Sequence, residues 1–215
     1  MLSRWSRWTS LTGVVFVVLV VLGGPILEGS TPGSKATGAQ VISFFETHRS
    51  RERASAILLT VAFIVFLFFA SSVRSYLRRT PGVEGLAALV LAGAAVLVAG
   101  QTAGSGLIFA LSDAPTRLSP GAAQSLNLLS NDMVLTSSAG FCVFGLASGL
   151  AILRGALLPR WLGWVAILIG VVVVTPAEFV AVLMLAVWIL IVSVLIALRG
   201  AARNPSPDAA TAATS

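Results

Sequence analysis

Two stretches of this chain hold residue types that can do chemistry. The first is FFETHRSRERAS, Phe44–Ser55, which contains the only histidine and a dense run of charged side chains immediately before a long apolar run. His48 and Glu52 are four residues apart and meet on one face of a helix, as do Arg49 and Arg53. An imidazole beside a carboxylate is the beginning of a zinc site, but a catalytic zinc takes three protein ligands and a water. With one histidine, and with the sole cysteine, Cys142, inside an apolar run, the other ligands would have to be carboxylates such as Asp132 or Glu178. The simpler reading is a collar, in which Arg49, Arg51 and Arg53 anchor the following helix at lipid headgroups and Glu46 pairs with Arg49. No metal and no cofactor is expected.

The second stretch is GQTAGSG, Gly100–Gly106, a polar, glycine-rich insertion in another apolar run. Further on, Asn131, Asp132, Thr136, Ser137 and Ser138 open the next run. Small residues let helices approach closely, and amides and hydroxyls bond across the gap. Gly100 and Gly104 form one GxxxG pair, and Gly145 and Gly149 form another. The two polar stretches support either helix packing or a polar vestibule lined by Gln101, Ser105, Asn131, Asp132 and Ser137, with His48 and Glu178 at its mouth. HExxH, Walker and haem-type histidine patterns are absent from the sequence, and no enzymatic activity is expected.

The elements that must position these residues follow from composition. Of 215 residues, 57% are hydrophobic and 10% are charged, with mean hydropathy +0.96. A soluble domain carries about 25% charged residues. Long apolar runs without period-two alternation form helices in a bilayer, because the backbone must satisfy its own hydrogen bonds there. The chain therefore reads as an all-α, polytopic transmembrane bundle. Its six spans fall at 11–27, 54–73, 85–111, 133–153, 158–175 and 177–198 within a domain of residues 1–200, and a disordered tail follows at 201–215. No A-x-A-like cleavage site follows the first run, which is read as a retained span. TPAEF divides the last two spans as a tight hairpin.

Two segments outside the spans carry helical periodicity. Val41, Phe44, Phe45 and His48 share one face, and Ala122, Leu126 and Leu129 share another after a Ser119–Pro120 helix start. Both predict short amphipathic helices roofing the outer side of the bundle.

Orientation comes from the basic residues. Arg4, Arg7, Arg74, Arg78, Arg79, Arg154, Arg160, Arg199 and Arg203 fall on one side, and Lys35, Arg49, Arg51, Arg53 and Arg117 on the other. The richer side is cytoplasmic, which places both termini inside. The net charge of +6 resides at the ends of apolar runs, so membrane lipids rather than nucleic acid are the expected partner. Trp5 with Trp8 and Trp161 with Trp164 suit the aromatic belt at that boundary.

The run RGALLPRWLGWVAILIG, Arg154–Gly170, together with the Ala39–Arg49 segment, resembles stretches recurring in uncharacterised six-helix integral membrane proteins of bacteria. The resemblance implies six helices in a bacterial cytoplasmic membrane and supplies no catalytic residues. The expected function is that of a non-enzymatic accessory, structural or ligand-sensing membrane protein, with self-association or pairing through Gly100, Gly104, Gly145 and Gly149. The alternative is a small-molecule or lipid transporter working through the vestibule between spans three and four.

Overall fold

The computed structural model describes residues 2–28, 31–155, 158–175 and 177–202. The side chains of 2–10, 28, 178 and 200–202 lie outside that description, as do residues 203–215 of the expected tail. Among the described residues there is no strand, and there are six α-helices: α1 Leu2–Val21, α2 Gly38–Leu77, α3 Glu84–Asp113, α4 Pro120–Arg154, α5 Arg160–Val172 and α6 Glu178–Ala202. Four are long and apolar enough to cross a membrane: α2, α3, α4 and, within α6, Phe179–Arg199. The apolar stretches Leu11–Leu27 and Arg160–Val172 are shorter.

Three features refine the pattern expected of the sequence. The amphipathic segment before span four is not a separate helix but the opening turns of α4: no proline interrupts α4 after its first residue, so the hydrogen-bond ladder runs on into the apolar part. The segment before span two is set off as expected, because α2 is two helical parts that meet at a kink at His48, whose φ of −109° and ψ of 16° are non-helical.

The second is at Gly23-Gly24-Pro25, inside the expected first span of 11–27, where the helix continues as a π-helix, Leu22–Glu28, with Pro25 inside it. A π turn and a proline both release backbone carbonyls, and α2 satisfies them. Ser55 Oγ donates to the Gly23 carbonyl at 2.8 Å, Arg51 Nη2 donates to Ile26 at 3.0 Å, and Arg51 Nε donates to Leu27. The third is the buried face of the α4 opening. Ala123 and Asn127 are buried there, whereas Ala122 and Leu129 are exposed and Leu126 is half-buried. The face is rotated by one residue because a polar side chain, Asn127, points inward.

The N-terminal caps conform to the sequence. Ser119 Oγ accepts from Ala122 N with Pro120 in the first turn, and Thr37 and Gln40 form a reciprocal capping box on α2. Here the end of the bundle holding these caps and the end of α3 is termed the roof end.

Towards the other end the helices close on one another through glycine. A Cβ on Gly93 would lie 2.5 Å from Phe144 N, and one on Gly140 would meet Leu97 N and, at 2.8 Å, Gly93 O. The backbones of α3 and α4 therefore touch at that crossing. Gly145 and Gly149 do the same for α4 and α5, against Ala166 O at 2.8 Å and Gly163 O at 2.6 Å. Aromatic rings fill the remaining space. Phe16, Phe66, Phe144 and Trp188, from α1, α2, α4 and α6, form a chain with centroids 5.0, 5.2 and 6.0 Å apart. Trp188 Nε1 is fixed by donation to the Leu162 carbonyl of α5 at 3.0 Å.

Candidate functional site

Between the aromatic chain and the roof, α2, α3 and α4 separate around a polar cavity of about 230 Å³. Each helix contributes one face. Ser55, Ala56 and Leu59 come from α2; Gln101, Gly104, Ser105 and Ile108 from α3; Asn127, Ser130, Asn131, Val134 and Ser137 from α4. In α3 and α4 these are i, i+3, i+4, i+7 stripes, and in α2 the shorter i, i+1, i+4 set, of helical faces turned to a common space. Thr31, in the link between α1 and α2, completes the wall. Gly100 makes room for the arrangement, since a Cβ there would lie 2.8 Å from Ser137 Oγ.

Four residues singled out in the sequence meet in this cavity: Gln101, Ser105, Asn131 and Ser137. The other three do not join them. His48 stacks on Phe44 at 4.5 Å, its Nδ1 faces the Phe44 carbonyl at 3.0 Å, and it is not part of the wall. Asp132 is exposed and also stands outside the wall. The Glu178 side chain lies outside the described residues. Among the described residues no three His, Cys, Asp or Glu side chains converge as a metal site.

The arginines of the expected collar make ties within the protein. Arg53 pairs with Asp113 at 3.5 Å and lies over the Phe109 ring at 5.1 Å. Arg49 donates to the Asp113 carbonyl rather than pairing with Glu46, and Arg51 holds the π segment. Two of the three guanidinium groups thus sit at the C-terminal end of α3, where the helix dipole favours a cation.

Sequence reasoning missed Ser55, Asn127 and Ser130 in the wall, and it missed that Glu52, counted in the collar, is fully buried. Glu52 precedes Ser55 and Ala56 by three and four residues, so it lies on the cavity-bearing face of α2, one turn nearer the roof. A signal existed for α4. Asn127, Ser130, Asn131 and Ser137 recur at i, i+3, i+4 and i+10, a polar stripe of helical period.

The wall's hydrogen bonds are mostly committed to backbone. Asn127 Nδ2 donates to Gly33 O at 3.1 Å, and Asn131 Nδ2 donates to Asn127 O at 2.8 Å and Pro32 O at 3.4 Å. These bonds tie the link before α2 to α4. Ser130 Oγ donates to Asn127 O at 2.9 Å and Ser137 Oγ to Met133 O at 3.2 Å. Asn127 is 1% exposed, and its Oδ1 has no hydrogen-bond partner. A buried acceptor left in that state costs about 1–3 kcal/mol.

Gln101 also lines a second, apolar chamber of about 90 Å³ deeper in the bundle, with Phe16, Val17, Phe63, Phe141 and Leu185 around it. Its amide therefore stands at the boundary between a polar and an apolar space. No protein-family model, no curated protein and no solved structure matches the chain.

Proposed function

We propose that this chain is a multi-pass membrane protein that senses or carries a small ligand in the vestibule, without catalysing its conversion. The carrying observation is the vestibule itself, a space of about 230 Å³ between α2, α3 and α4 whose wall includes serine, asparagine and glutamine side chains. The interlocked rings of Phe66, Phe144 and Trp188 farther along the bundle suit a receptor pocket better than a through path.

In this reading all six helices reside in a bacterial cytoplasmic membrane, with the shorter α1 and α5 completing the spans. The exposed apolar side chains Phe68, Leu135, Trp164 and Phe179 then face lipid. Both termini are cytoplasmic and the roof is outside. Arg78, Arg79, Arg154 and Arg160 meet anionic headgroups at the opposite end. Self-association is not favoured through the four GxxxG glycines. Gly100, Gly145 and Gly149 are closely apposed to helices of the same chain, and Gly104 faces Met133.

The transporter reading has one observation in its favour, the chamber beyond Gln101. It would require the Phe66–Phe144–Trp188 packing to part during each cycle.

Native mass spectrometry of protein released from its own membrane tests the receptor reading. The wild type is expected to retain a small molecule that the Ser130→Ala/Ser137→Ala double variant loses. Bare protein in both samples would count against a built binding site, and unidirectional flux in vesicles would favour the transporter. Labelling of a His48→Cys, Cys142→Ser variant by an impermeant reagent in intact cells checks the orientation. Protection until permeabilisation would invert it.

A further inference from the structure

The apolar chamber of about 90 Å³ is enclosed by side chains of α1, α2, α3, α4 and α6. At Gly13 the first and last helices lie tightly together, since a Cβ there would meet Ser193 Oγ and, at 2.9 Å, Ile189 Cγ2. Within the next two turns of α1 they part, and Phe16 and Val20 share an open space with Leu185 and Ala186 of α6. In a bundle otherwise closed by glycine contacts and interlocked rings, that space is lost packing, which a guest would recover.

What the chamber accepts follows from its wall. Among the described residues lining it, Gln101 alone has polar side-chain atoms, and none is charged. An ion would give up its hydration there without a counter-charge, and a polyol would strand most of its hydroxyls. Small apolar cavities stay dry and take apolar guests. Gln101 adds one polar contact: none of the described residues hydrogen-bonds its amide, and an amide can donate to or accept from a single guest group.

The edge of the chamber indicates where a guest comes from. Val21 and Val182, which line it from α1 and α6, are 46% and 39% exposed. One layer of valine therefore separates the chamber from the outside of the bundle. In a membrane-embedded bundle that outside is lipid, where apolar molecules concentrate.

We propose that the chamber binds a small uncharged molecule, apolar except for one hydrogen-bonding group at Gln101, which enters from the bilayer between α1 and α6. Of its wall only Gln101 also belongs to the vestibule, so this site stands whether or not the vestibule holds a ligand. No bond is made or broken.

The test uses full-length protein in lipid nanodiscs, irradiated with a diazirine derivative of 1-butanol, with the adducts located by peptide mass spectrometry. Saturable adducts are expected at 16–21 and 182–186. Excess 1-butanol should suppress them, whereas n-butylammonium and butyrate should not. Gln101→Leu, which removes the one polar contact, should raise the half-saturating concentration roughly fivefold. Ala186→Phe, which fills the space, should abolish these adducts, and the vestibule variant Ser130→Ala/Ser137→Ala should label as the wild type does. Adducts spread over all the lipid-facing helix surfaces without saturation would reduce the chamber to a packing void and overturn the proposal. Undiminished adducts in Ala186→Phe would place the guest elsewhere, and loss of labelling in the vestibule variant would place it in the vestibule; either overturns the proposal. Equal suppression by butyrate or n-butylammonium would overturn the uncharged class. Should Ala186→Phe fail to fold, Gln101→Leu decides, and labelling there at the wild-type concentration would overturn the assigned contact.

Discussion

The two halves of the bundle use the same small polar residues to opposite ends. Near the roof, serine and asparagine side chains bridge backbone segments, and the space between α2, α3 and α4 stays open. Towards the other end, Ser148 and Ser193 are fully buried and their hydroxyls have no hydrogen-bond partner. They sit where helices are drawn together by glycine: a Cβ on Gly13 would collide with Ser193 Oγ, and Gly149, beside Ser148, abuts α5. A serine there is chiefly a small residue, whereas near the roof it is a hydrogen-bonding one. Side-chain type alone therefore does not mark a site; what matters is whether the helices around it converge or part.

This contrast is most easily broken at the tight end. Gly140→Ala puts a methyl into the backbone of α3 at Leu97 and Gly93. Backbone cannot yield as a side-chain tip does, so the cost is expected at about 2 kcal/mol or more, typical of overpacking. Thermal unfolding in nanodiscs would read it as the largest loss of this set, and a wild-type midpoint would refute the close crossing.

The next effect belongs to the roof. Arg51→Ala strands the Ile26 and Leu27 carbonyls of the π segment, at about 1–3 kcal/mol for groups cut off from water and less where water reaches them. Faster amide exchange confined to the first helix end and the start of α2 is the expected signature. Global destabilisation with no local change would show that the tie is incidental.

A smaller change of opposite sign is expected at Ser148→Ala. Removing an unpartnered buried hydroxyl should raise stability by about 1 kcal/mol, and a loss would mean that the hydroxyl has a structural role. Gln101→Leu sharpens the comparison from the other side. None of the described residues hydrogen-bonds that amide, so stability should move by less than about 0.5 kcal/mol while ligand retention is lost. A large stability change with retention intact would return Gln101 to a packing role.

Much of the fold could be read from apolar runs, because hydropathy reports directly on helix length in lipid, and the Ser119–Pro120 start and the α5–α6 hairpin followed from local chemistry. The site was half legible. Gln101, Ser105, Asn131 and Ser137 were visible as polar residues inside apolar runs, but His48 and Asp132 were conspicuous only for their chemistry and stand outside the wall. Glu52 was concealed by its arginine neighbours, and Asn127 by the leucines beside it, which drew the buried stripe one residue out of register. The Gly93–Gly140 contact lies between helices and leaves no motif in either. The π turn at Gly23-Gly24-Pro25 left no sign in the sequence because its carbonyls are satisfied from α2, which no local window contains.

The central claim is a water-filled vestibule that ends before the packed Phe66–Phe144–Trp188 rings. Single cysteines along α4 in a Cys142→Ser background test it most directly, using an impermeant thiol reagent applied from the roof side. Reactivity is expected at positions 130, 131, 134 and 137 and absent at 141, 144 and 148. Reactivity reaching 148 would reveal a continuous path through the bundle, and silence at all seven positions would mean that α2, α3 and α4 close without a vestibule.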